Sequence, residues 1–313
     1  MRLVFLGNDP WSVSPLEALA KDAAFEVVTV ITNPPRPAGR GSRLTPTAVA
    51  DAARGLGIRV LEVDGVRAGA GFDAVQDAAP DALIVVAYGE LLSPQVLALP
   101  RLGAVNVHFS LLPRWRGASP VQHAILSGDP RTGVTLMEMD AGLDSGAILA
   151  TATLDVLRTD DAGSLGARLS SAGATLLLQT LPGYASGAIK PRPQPDQGVT
   201  LAPKLGPADR VVAWDLLANA VVARVRALSP DPGATTSFRG GSLKLLRAEI
   251  SGSTSSLATA EPGTVVAVDE QGPLIASGSG SVRLLVVAAP GRKRMSGAEW
   301  ARGTRILPGE LLG

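Results

Sequence analysis

Short apolar runs alternate with amphipathic segments along the first part of the chain. The apolar runs are typical of buried strands and occupy residues 3–6, 25–32, 59–63, 83–88, 104–109 and 132–139. Segments with helical periodicity lie at residues 14–21, 46–56, 120–126 and 165–181. Alternating strands and helices predict an α/β fold with a doubly wound, mostly parallel sheet, in which ligands bind beyond the carboxyl ends of the strands.

Three prolines at alternate positions, Pro191, Pro193 and Pro195, end this pattern because proline cannot continue a helix. They predict a first domain at residues 1–189, a proline-rich linker at 190–206 and a second domain at 207–313. The second domain is predicted to contain a helix at residues 214–228, a low-complexity loop at 251–260, and strands at 234–238, 242–250, 263–268, 274–277 and 281–287. Short strands separated by turns are typical of a small barrel or sandwich.

The amino-acid composition limits the kinds of nucleophile, metal site and partner that the chain can have. The chain has no cysteine and two histidines, His108 and His123, so we expect neither a thiolate nucleophile nor a metal site. No apolar run approaches the ~18 residues of a membrane span, and no secretory leader precedes the first strand; we expect a cytoplasmic protein. Residues 207–313 carry 12 basic and 9 acidic side chains. This excess permits a nucleic-acid partner but also fits an ordinary surface.

Two polar residues, Asn106 and His108, alternate with apolar neighbours in the predicted strand at 104–109. Period-two alternation places both side chains on one face, near the end of the strand where an α/β active site lies. Each residue alone could simply cap a loop. The pair, followed by the SLLP turn at 110–113, favours a functional site.

Two further segments carry candidate chemistry. Asp140 and Asp144 lie in a glycine-rich loop after a strand, where Gly142 and Gly146 allow close approach of the backbone; a solvated turn is the alternative. Arg36, Arg40 and Arg43 lie in a long loop at the same predicted edge of the sheet. These arginines would suit a polyanionic partner, and an ordinary surface loop is again the alternative.

The chain resembles the methionyl-tRNA formyltransferase family over almost its full length. The resemblance is carried, in order, by RPAGRG at residues 36–41, VVAYG at 85–89, NVH at 106–108, SLLPRWRGA at 110–118 and GLDSG at 142–146. Three features depart from the family pattern. Phe109 replaces a common glycine and is expected to point away from His108, and the turn Gly7-Asn8-Asp9-Pro10 replaces the usual Gly-Thr-Pro. Pro35 stands where an acidic residue is common and is expected to stiffen the arginine loop.

The resemblance implies a Rossmann-like formyltransferase domain followed by an OB-type β-barrel, and it implies a catalytic trio of Asn106, His108 and Asp144. It also implies that 10-formyltetrahydrofolate is the co-substrate and initiator methionyl-tRNA the acceptor, for translation initiation, in a protein expected to be a monomer. The implied folate-binding residues are Tyr88, Gly89, Leu91, Ser110, Leu111, Leu112 and Pro113. The implied tRNA-binding residues are Arg36, Arg40 and Arg43. In a tRNA-binding domain the basic cluster Arg292, Lys293 and Arg294 is also expected to contact phosphates, and a solvated turn is the alternative.

Formyl transfer develops negative charge on the formyl oxygen and releases a proton from the attacking amine. Asn106 and His108 can donate hydrogen bonds to that oxygen, while Asp144 can hold the imidazole or take the proton, directly or through a water. The alternatives are a related formyltransferase acting on a small amine or an amino sugar, a formyl-folate hydrolase, and a non-catalytic nucleic-acid-binding module. A nicotinamide oxidoreductase is disfavoured because Gly7 is not followed by the glycine fingerprint.

Overall fold

A computed structural model describes residues 1–38, 43–251 and 260–313. Arg40 and most of the loop predicted at 251–260 lie outside the described residues. The described chain forms two compact units. The first contains Met1–Pro120, Arg131–Asp155 and Gly166–Pro203, and the second contains Val121–Pro130, Val156–Leu165 and Lys204–Gly313. The domain limits expected from the sequence stay predictions.

Among the described residues, nine strands and six α-helices precede the linker. The strands are β1 (Arg2–Gly7), β2 (Glu26–Thr32), β3 (Arg36–Ala38), β4 (Arg43–Thr45), β5 (Val60–Glu62), β6 (Ala82–Val86), β7 (Ala104–His108), β8 (Arg131–Glu138) and β9 (Ile148–Asp155). The helices are α1 (Val13–Lys21), α2 (Ala48–Gly55), α3 (Gly69–Ala78), α4 (Pro94–Leu97), α5 (Pro120–Leu126) and α6 (Ala162–Ala185).

Seven of these strands form one sheet in the order β5-β2-β1-β6-β7-β8-β9. The first five strands in that order run parallel, and β8 and β9 add antiparallel pairs at one edge. The sequence prediction of a doubly wound, mostly parallel sheet is therefore confirmed. All five residues of β6 are buried because helices cover both faces of a central strand.

The strand order reverses direction between β1 and β6, since β2 and β5 lie on one side of β1 while β6 and β7 lie on the other. Ligands of open α/β sheets bind beyond the carboxyl ends of the strands at such a switch point. Asn8 and Tyr88 follow the two strands that flank it. This edge of the sheet also receives the end of β7, where Asn106 and His108 lie.

The second unit is built on an antiparallel sheet in the order β10-β11-β14-β13-β12, with β15 paired to β14. Its elements after the linker are α7 (Ala218–Leu228), β10 (Ala234–Phe238), β11 (Gly241–Ser251), β12 (Val265–Asp269), β13 (Gly272–Ala276), β14 (Ser281–Ala288), β15 (Met295–Ser296) and α8 (Gly297–Thr304).

The C-terminal residues join the two edges of this sheet. Leu312 pairs with Phe238 at the end of β10, and Leu311 pairs with Thr264 just before β12. Trp214 and Trp300 are 5% and 3% exposed and pack in the core of the unit. The structure thus confirms a β domain after the α/β domain, and both tryptophans are core residues of that domain.

No helix in the described part of the chain is long and apolar enough to cross a membrane.

Candidate active site

Asn106, His108 and Asp144 come together at the carboxyl end of β7. The Asn106 amide donates from Nδ2 to Asp144 Oδ1 over 3.3 Å, and Asp144 Oδ2 lies 3.6 Å from His108 Nδ1. The His108 ring is 5% exposed and the Asp144 side chain 14%. The cluster therefore combines an amide, an imidazole and a carboxylate in a largely buried position that retains some solvent exposure at Asp144.

Both nitrogens of the His108 ring face oxygen acceptors. Nε2 lies 2.9 Å from the carbonyl oxygen of Trp115, and Nδ1 faces Asp144. A carbonyl oxygen can only accept, so Nε2 carries a proton in this arrangement. Donation from Nε2 to a substrate oxygen would require the ring to release the Trp115 carbonyl, whereas Nδ1 is oriented by the carboxylate.

The two acids of the glycine-rich loop have different roles. Asp140 Oδ1 accepts from the Gly142 N–H and from the Ser145 hydroxyl, each over 2.9 Å, so Asp140 closes the turn. Asp144 adopts a positive φ of 48° and directs its carboxylate inward, where Oδ2 accepts from the Gly117 N–H over 2.8 Å. A non-glycine residue held at positive φ is strained, and such strain clusters at functional sites.

The turn after β7 is closed by its own side chains. The Ser110 hydroxyl donates to the Arg114 carbonyl over 2.6 Å, and Thr135 of β8 donates to the Ser110 carbonyl over 2.7 Å. Ser110 is fully buried, so its side chain shapes the turn and offers no surface to a ligand in this conformation. Leu112 is also buried, and the Leu112–Pro113 peptide is cis.

Phe109 packs away from the cluster. Its ring meets Trp11 edge to face with ring centroids 6.0 Å apart, and it is 4% exposed. The departure from the family's glycine at this position is thus accommodated by the core, as expected from strand alternation.

Asn8 links the ends of the strands that flank the switch point. Its Nδ2 donates to the Tyr88 carbonyl, and its Oδ1 accepts from the Thr32 hydroxyl over 2.9 Å and from the Asn33 N–H over 2.7 Å. One amide therefore joins the ends of β1, β2 and β6. In the sequence, this turn is visible only as a departure from the family pattern.

Tyr88 is 4% exposed; among the described residues its hydroxyl has no hydrogen bond of good geometry, and the Glu90 carboxylate is the nearby group that interacts with it. Burial, together with the nearby Glu90 carboxylate, raises the pKa of Tyr88, so the hydroxyl stays protonated at neutral pH. Gly89 has a φ of 85° and Leu91 is 44% exposed, so the backbone after β6 opens towards solvent. A buried polar atom beside an apolar residue at a switch point fits a heterocyclic ligand with hydrogen-bonding edges.

The predicted basic loop contains a two-stranded ribbon. Arg36 pairs with Thr45, and Ala38 pairs with Arg43, across β3 and β4. Both Arg36 and Arg43 are exposed. The ribbon presents these two guanidinium groups from a paired backbone rather than from an irregular loop.

A cleft of about 840 Å³ lies within the second unit, between α7, β11 and the segments around residues 125–128 and 158–161. Its charged lining is mostly basic, with Arg158, Arg226, Arg247 and Arg294 against Asp161 and Glu249. Arg292 and Lys293 lie in the exposed turn leading to Arg294. The predicted basic cluster is therefore exposed, and its last member borders a concave surface.

No cluster of metal-binding side chains is found in residues 1–38, 43–251 and 260–313.

Comparison with known proteins supports one family for the whole chain. A formyl transferase family model matches residues 1–181, and a model of the formyl transferase C-terminal domain matches residues 204–305. A methionyl-tRNA formyltransferase of Streptomyces coelicolor is 45% identical over the full length of both chains. One of Roseiflexus sp. is 42% identical over all of this chain and 95% of its own length.

Solved structures share the fold. A methionyl-tRNA formyltransferase from Clostridium thermocellum has a TM-score of 0.57 at 15% identity, covering 80% of this chain and 94% of its own. HypX from Aquifex aeolicus in complex with tetrahydrofolic acid has a TM-score of 0.62 at 20% identity, covering 96% of this chain and 47% of its own. The full-length sequence matches decide the assignment, and the chain belongs to the methionyl-tRNA formyltransferase family.

Proposed function

We propose that this protein transfers the formyl group of 10-formyltetrahydrofolate to the amino group of methionine on initiator tRNA, a step of translation initiation. As a member of its family it is a formyltransferase. The observation that supports a catalytic role for this site is the convergence of Asn106, His108 and Asp144 at the carboxyl edge of the sheet.

Asn106 is suited to stabilise the formyl oxygen. One N–H of its amide is donated to Asp144, and the second N–H is available to an oxyanion. The two oxygens of Asp144 each accept a hydrogen bond, Oδ1 from Asn106 and Oδ2 from the Gly117 N–H. An ionised carboxylate suits this arrangement because both of its oxygens are acceptors. In that form Asp144 can orient His108 and take up the proton released by the amine, through a water where the distance requires it.

We assign the folate to the crevice at the switch point between β1 and β6. Bound there, the folate supplies a formyl group on N10. Tyr88 offers a protonated hydroxyl, while Gly89 and Leu91 provide an open backbone and an apolar surface. Of the SLLP turn, Leu111 and Pro113 are partly exposed and could contact the folate, whereas Ser110 and Leu112 act by shaping the turn.

We assign the tRNA to the basic side chains. Arg36 and Arg43 on the β3–β4 ribbon, with Arg40 between them in the chain, suit the phosphates of the acceptor end. Arg292, Lys293 and Arg294 suit phosphates contacted by the second unit, with Arg158 and Arg247 lining the adjoining cleft.

A transfer assay tests this function. Purified protein is mixed with labelled 10-formyltetrahydrofolate and methionine-charged initiator tRNA, with methionine-charged elongator tRNA and glycinamide ribonucleotide as controls. We expect label on the initiator species alone. Label on the small amine, or formate released into water, would retain the site but overturn the tRNA assignment. Folate binding without any transfer would identify a binding scaffold.

A further inference from the structure

The segment after α6 contributes a side chain to the catalytic centre. Gln194 lies in this segment, and its Nε2 donates to the carbonyl oxygens of Asp144 and Gly146, each over 2.8 Å. Its Oε1 accepts from Arg116 Nε over 3.0 Å and from Arg116 Nη2 over 2.7 Å. An amide has two N–H donors and two acceptor positions, so every hydrogen-bonding position of Gln194 is used.

The orientation of this amide is fixed by its partners. The carbonyl oxygens of Asp144 and Gly146 can only accept, and the Arg116 guanidinium can only donate. If the oxygen and nitrogen of this amide exchanged places, the oxygen would face the two carbonyl oxygens and the N–H groups would face the N–H groups of Arg116. None of these four hydrogen bonds could then form. The arrangement therefore specifies glutamine by chemistry as well as by length.

Gln194 joins two loops that both contact the catalytic trio. On one side is the loop of Asp144, whose carboxylate faces His108 and Asn106. On the other side is Arg116, which stands between Trp115 and Gly117. The Trp115 carbonyl contacts His108 Nε2, and the Gly117 N–H donates to Asp144 Oδ2.

The backbone on both sides of Gln194 is anchored. Before it, Arg192 exchanges two backbone hydrogen bonds with Ile148, at 2.7 and 2.9 Å. After it, residues 200–202 pair with Arg116: the Arg116 N–H donates to the Thr200 carbonyl over 2.9 Å, and the Ala202 N–H donates to the Arg116 carbonyl over 2.8 Å. Pro193 and Pro195 restrict the backbone directly around Gln194. The glutamine is thus presented from a rigid support.

We propose that Gln194 is a positioning residue that holds Asp144 in its catalytic orientation by fastening the Asp144 loop to the loop of Arg116 and Gly117. This inference rests on the proposed function, because it assigns Gln194 a role through Asp144 in formyl transfer. Asp144 is held at a strained φ of 48°, so its loop needs such external hydrogen bonds to keep the carboxylate in place.

The first test is kinetic. We expect Gln194→Ala to lower kcat by about 10- to 100-fold, the range that a displacement near 1 Å costs, and to leave KM for folate and tRNA within about threefold. Gln194→Glu keeps the acceptor for Arg116 but turns an oxygen towards the carbonyls of Asp144 and Gly146, so it should not restore kcat. Gln197→Ala, in the same segment at an exposed position, is the matched control and should behave as wild type. Full activity of Gln194→Glu would overturn the proposal.

A double-mutant cycle separates positioning from general structure. In single-turnover measurements, Gln194→Ala should change the rate less than about twofold once Asp144 is already alanine, because its effect passes through that carboxylate. Multiplicative losses in the double variant would contradict the role. The unfolding temperature of each variant shows whether a rate loss reflects a folding defect.

Hydrogen exchange gives a readout independent of turnover. In Gln194→Ala, and not in Gln197→Ala, we expect faster exchange in peptides covering residues 114–119 and 142–147, including the Gly117 amide that contacts Asp144. Unchanged hydrogen exchange in Gln194→Ala would overturn the role of Gln194, even if the wild-type protein transferred the formyl group to a molecule other than initiator tRNA. Conversely, wild-type protein that formylates initiator tRNA supports the proposed function whatever happens at Gln194.

Discussion

Both oxygens of the Asp144 carboxylate accept hydrogen bonds from neighbouring groups. Oδ1 receives the Asn106 amide and Oδ2 receives the Gly117 N–H, while the same Oδ2 faces His108 Nδ1. Every group around the carboxylate is therefore a donor or a potential donor. An uncharged amide of the same shape cannot satisfy this environment, since one side of it would present N–H groups to donors.

We therefore expect Asp144→Asn to lower kcat by at least about 10²-fold even though the side chains have the same shape. The loss combines the absent proton acceptor with a displaced Asn106 or Gly117. Single-turnover formyl transfer, with circular dichroism to check folding, measures the effect. Asp140→Asn is the control in the same loop, because Asp140 closes the turn and does not contact the trio. A kcat for Asp144→Asn within threefold of wild type would remove Asp144 from the proton-transfer step.

Asn106→Ala should reduce kcat by about 10²–10³-fold, the usual cost of one oxyanion donor, and we expect a loss of at least that order for His108→Ala, which removes the ring that Asp144 orients. KM for the folate should change less, because the loss is in the transition state. Asn106→Ala also removes a hydrogen bond to Asp144, so its effect and that of Asp144→Ala should be less than multiplicative. Wild-type turnover in either purified single variant would exclude that residue from the mechanism.

At the residue scale, strand alternation was sufficient to place Asn106 and His108 on one face. The pattern alone did not choose between Asp140 and Asp144, which share one glycine-rich loop; the family resemblance made that choice. The Trp115 carbonyl and Gly117 N–H are backbone groups, and backbone contacts leave no sign in the sequence. Gln194 lies 50 residues from Asp144 along the chain, and nothing in its local pattern indicates that contact.

Among the elements, the turn between β1 and α1 carries a partly buried carboxyl group. Asp9 accepts a hydrogen bond from the Trp11 N–H over 3.0 Å, yet burial outweighs this bond and raises the pKa of Asp9. A raised pKa means that the native state holds its proton more tightly than the unfolded chain, whose Asp pKa is about 3.9. The stability of the native state therefore falls as the pH rises through the interval between these two pKa values.

We expect Asp9→Asn to raise the unfolding temperature at pH 7, because asparagine keeps the acceptor oxygen without a charge to bury. The gain should shrink as the pH falls from 7 towards ~4, through the interval between the native and unfolded pKa values of Asp9, and it should be absent at lower pH, where Asp9 is neutral in both states. Calorimetry of the wild-type protein and of Asp9→Asn between pH 3 and pH 7 measures this difference in unfolding temperature. Asp22→Asn is the matched control, since Asp22 accepts from the Ala24 N–H in the same two-residue pattern. No gain at pH 7, or the same gain at every pH, would contradict the account.

The elements missed by sequence analysis have weak local signals. β9 (ILATATLD) alternates, but through small Ala and Thr residues, and three of its eight positions are exposed. α3 begins at a glycine with a φ of 63° and has no side-chain cap. The α7 helix begins at Ala218, four residues after the predicted start. The antiparallel direction of β8 is decided by its pairing with β7, which the apolar pattern does not encode.

On the scale of the whole chain, charge is almost balanced, and its distribution matters more than the total. The chain carries 29 basic and 28 acidic residues, but the exposed turn at 292–294 is three consecutive cations beside a mostly basic cleft. Phosphate contacts by such side chains release counterions, so their number is reported by the salt dependence of binding rather than by the net charge.

Replacing Arg292, Lys293 and Arg294 by alanine should weaken binding of initiator tRNA and flatten its salt dependence. Each lost phosphate contact removes about 0.7–0.9 from the slope of log K against log salt, so loss of all three should reduce the slope by about 2–3. Fluorescence anisotropy with labelled tRNA between 50 and 300 mM salt measures both quantities, and folate binding should be unchanged.

The control for this experiment is a second triple variant with the same change in net charge. Lys21, Arg54 and Arg101 are exposed and form ion pairs with Glu17, Glu62 and Asp81, respectively. Their replacement by alanine lowers the net charge equally without touching the proposed contact surface. If both triple variants lose the same slope, the effect reflects the overall field of the protein. If the salt slope falls only in the variant at 292–294, the cations there contact phosphates directly. An unchanged slope in that variant would exclude them from the tRNA interface.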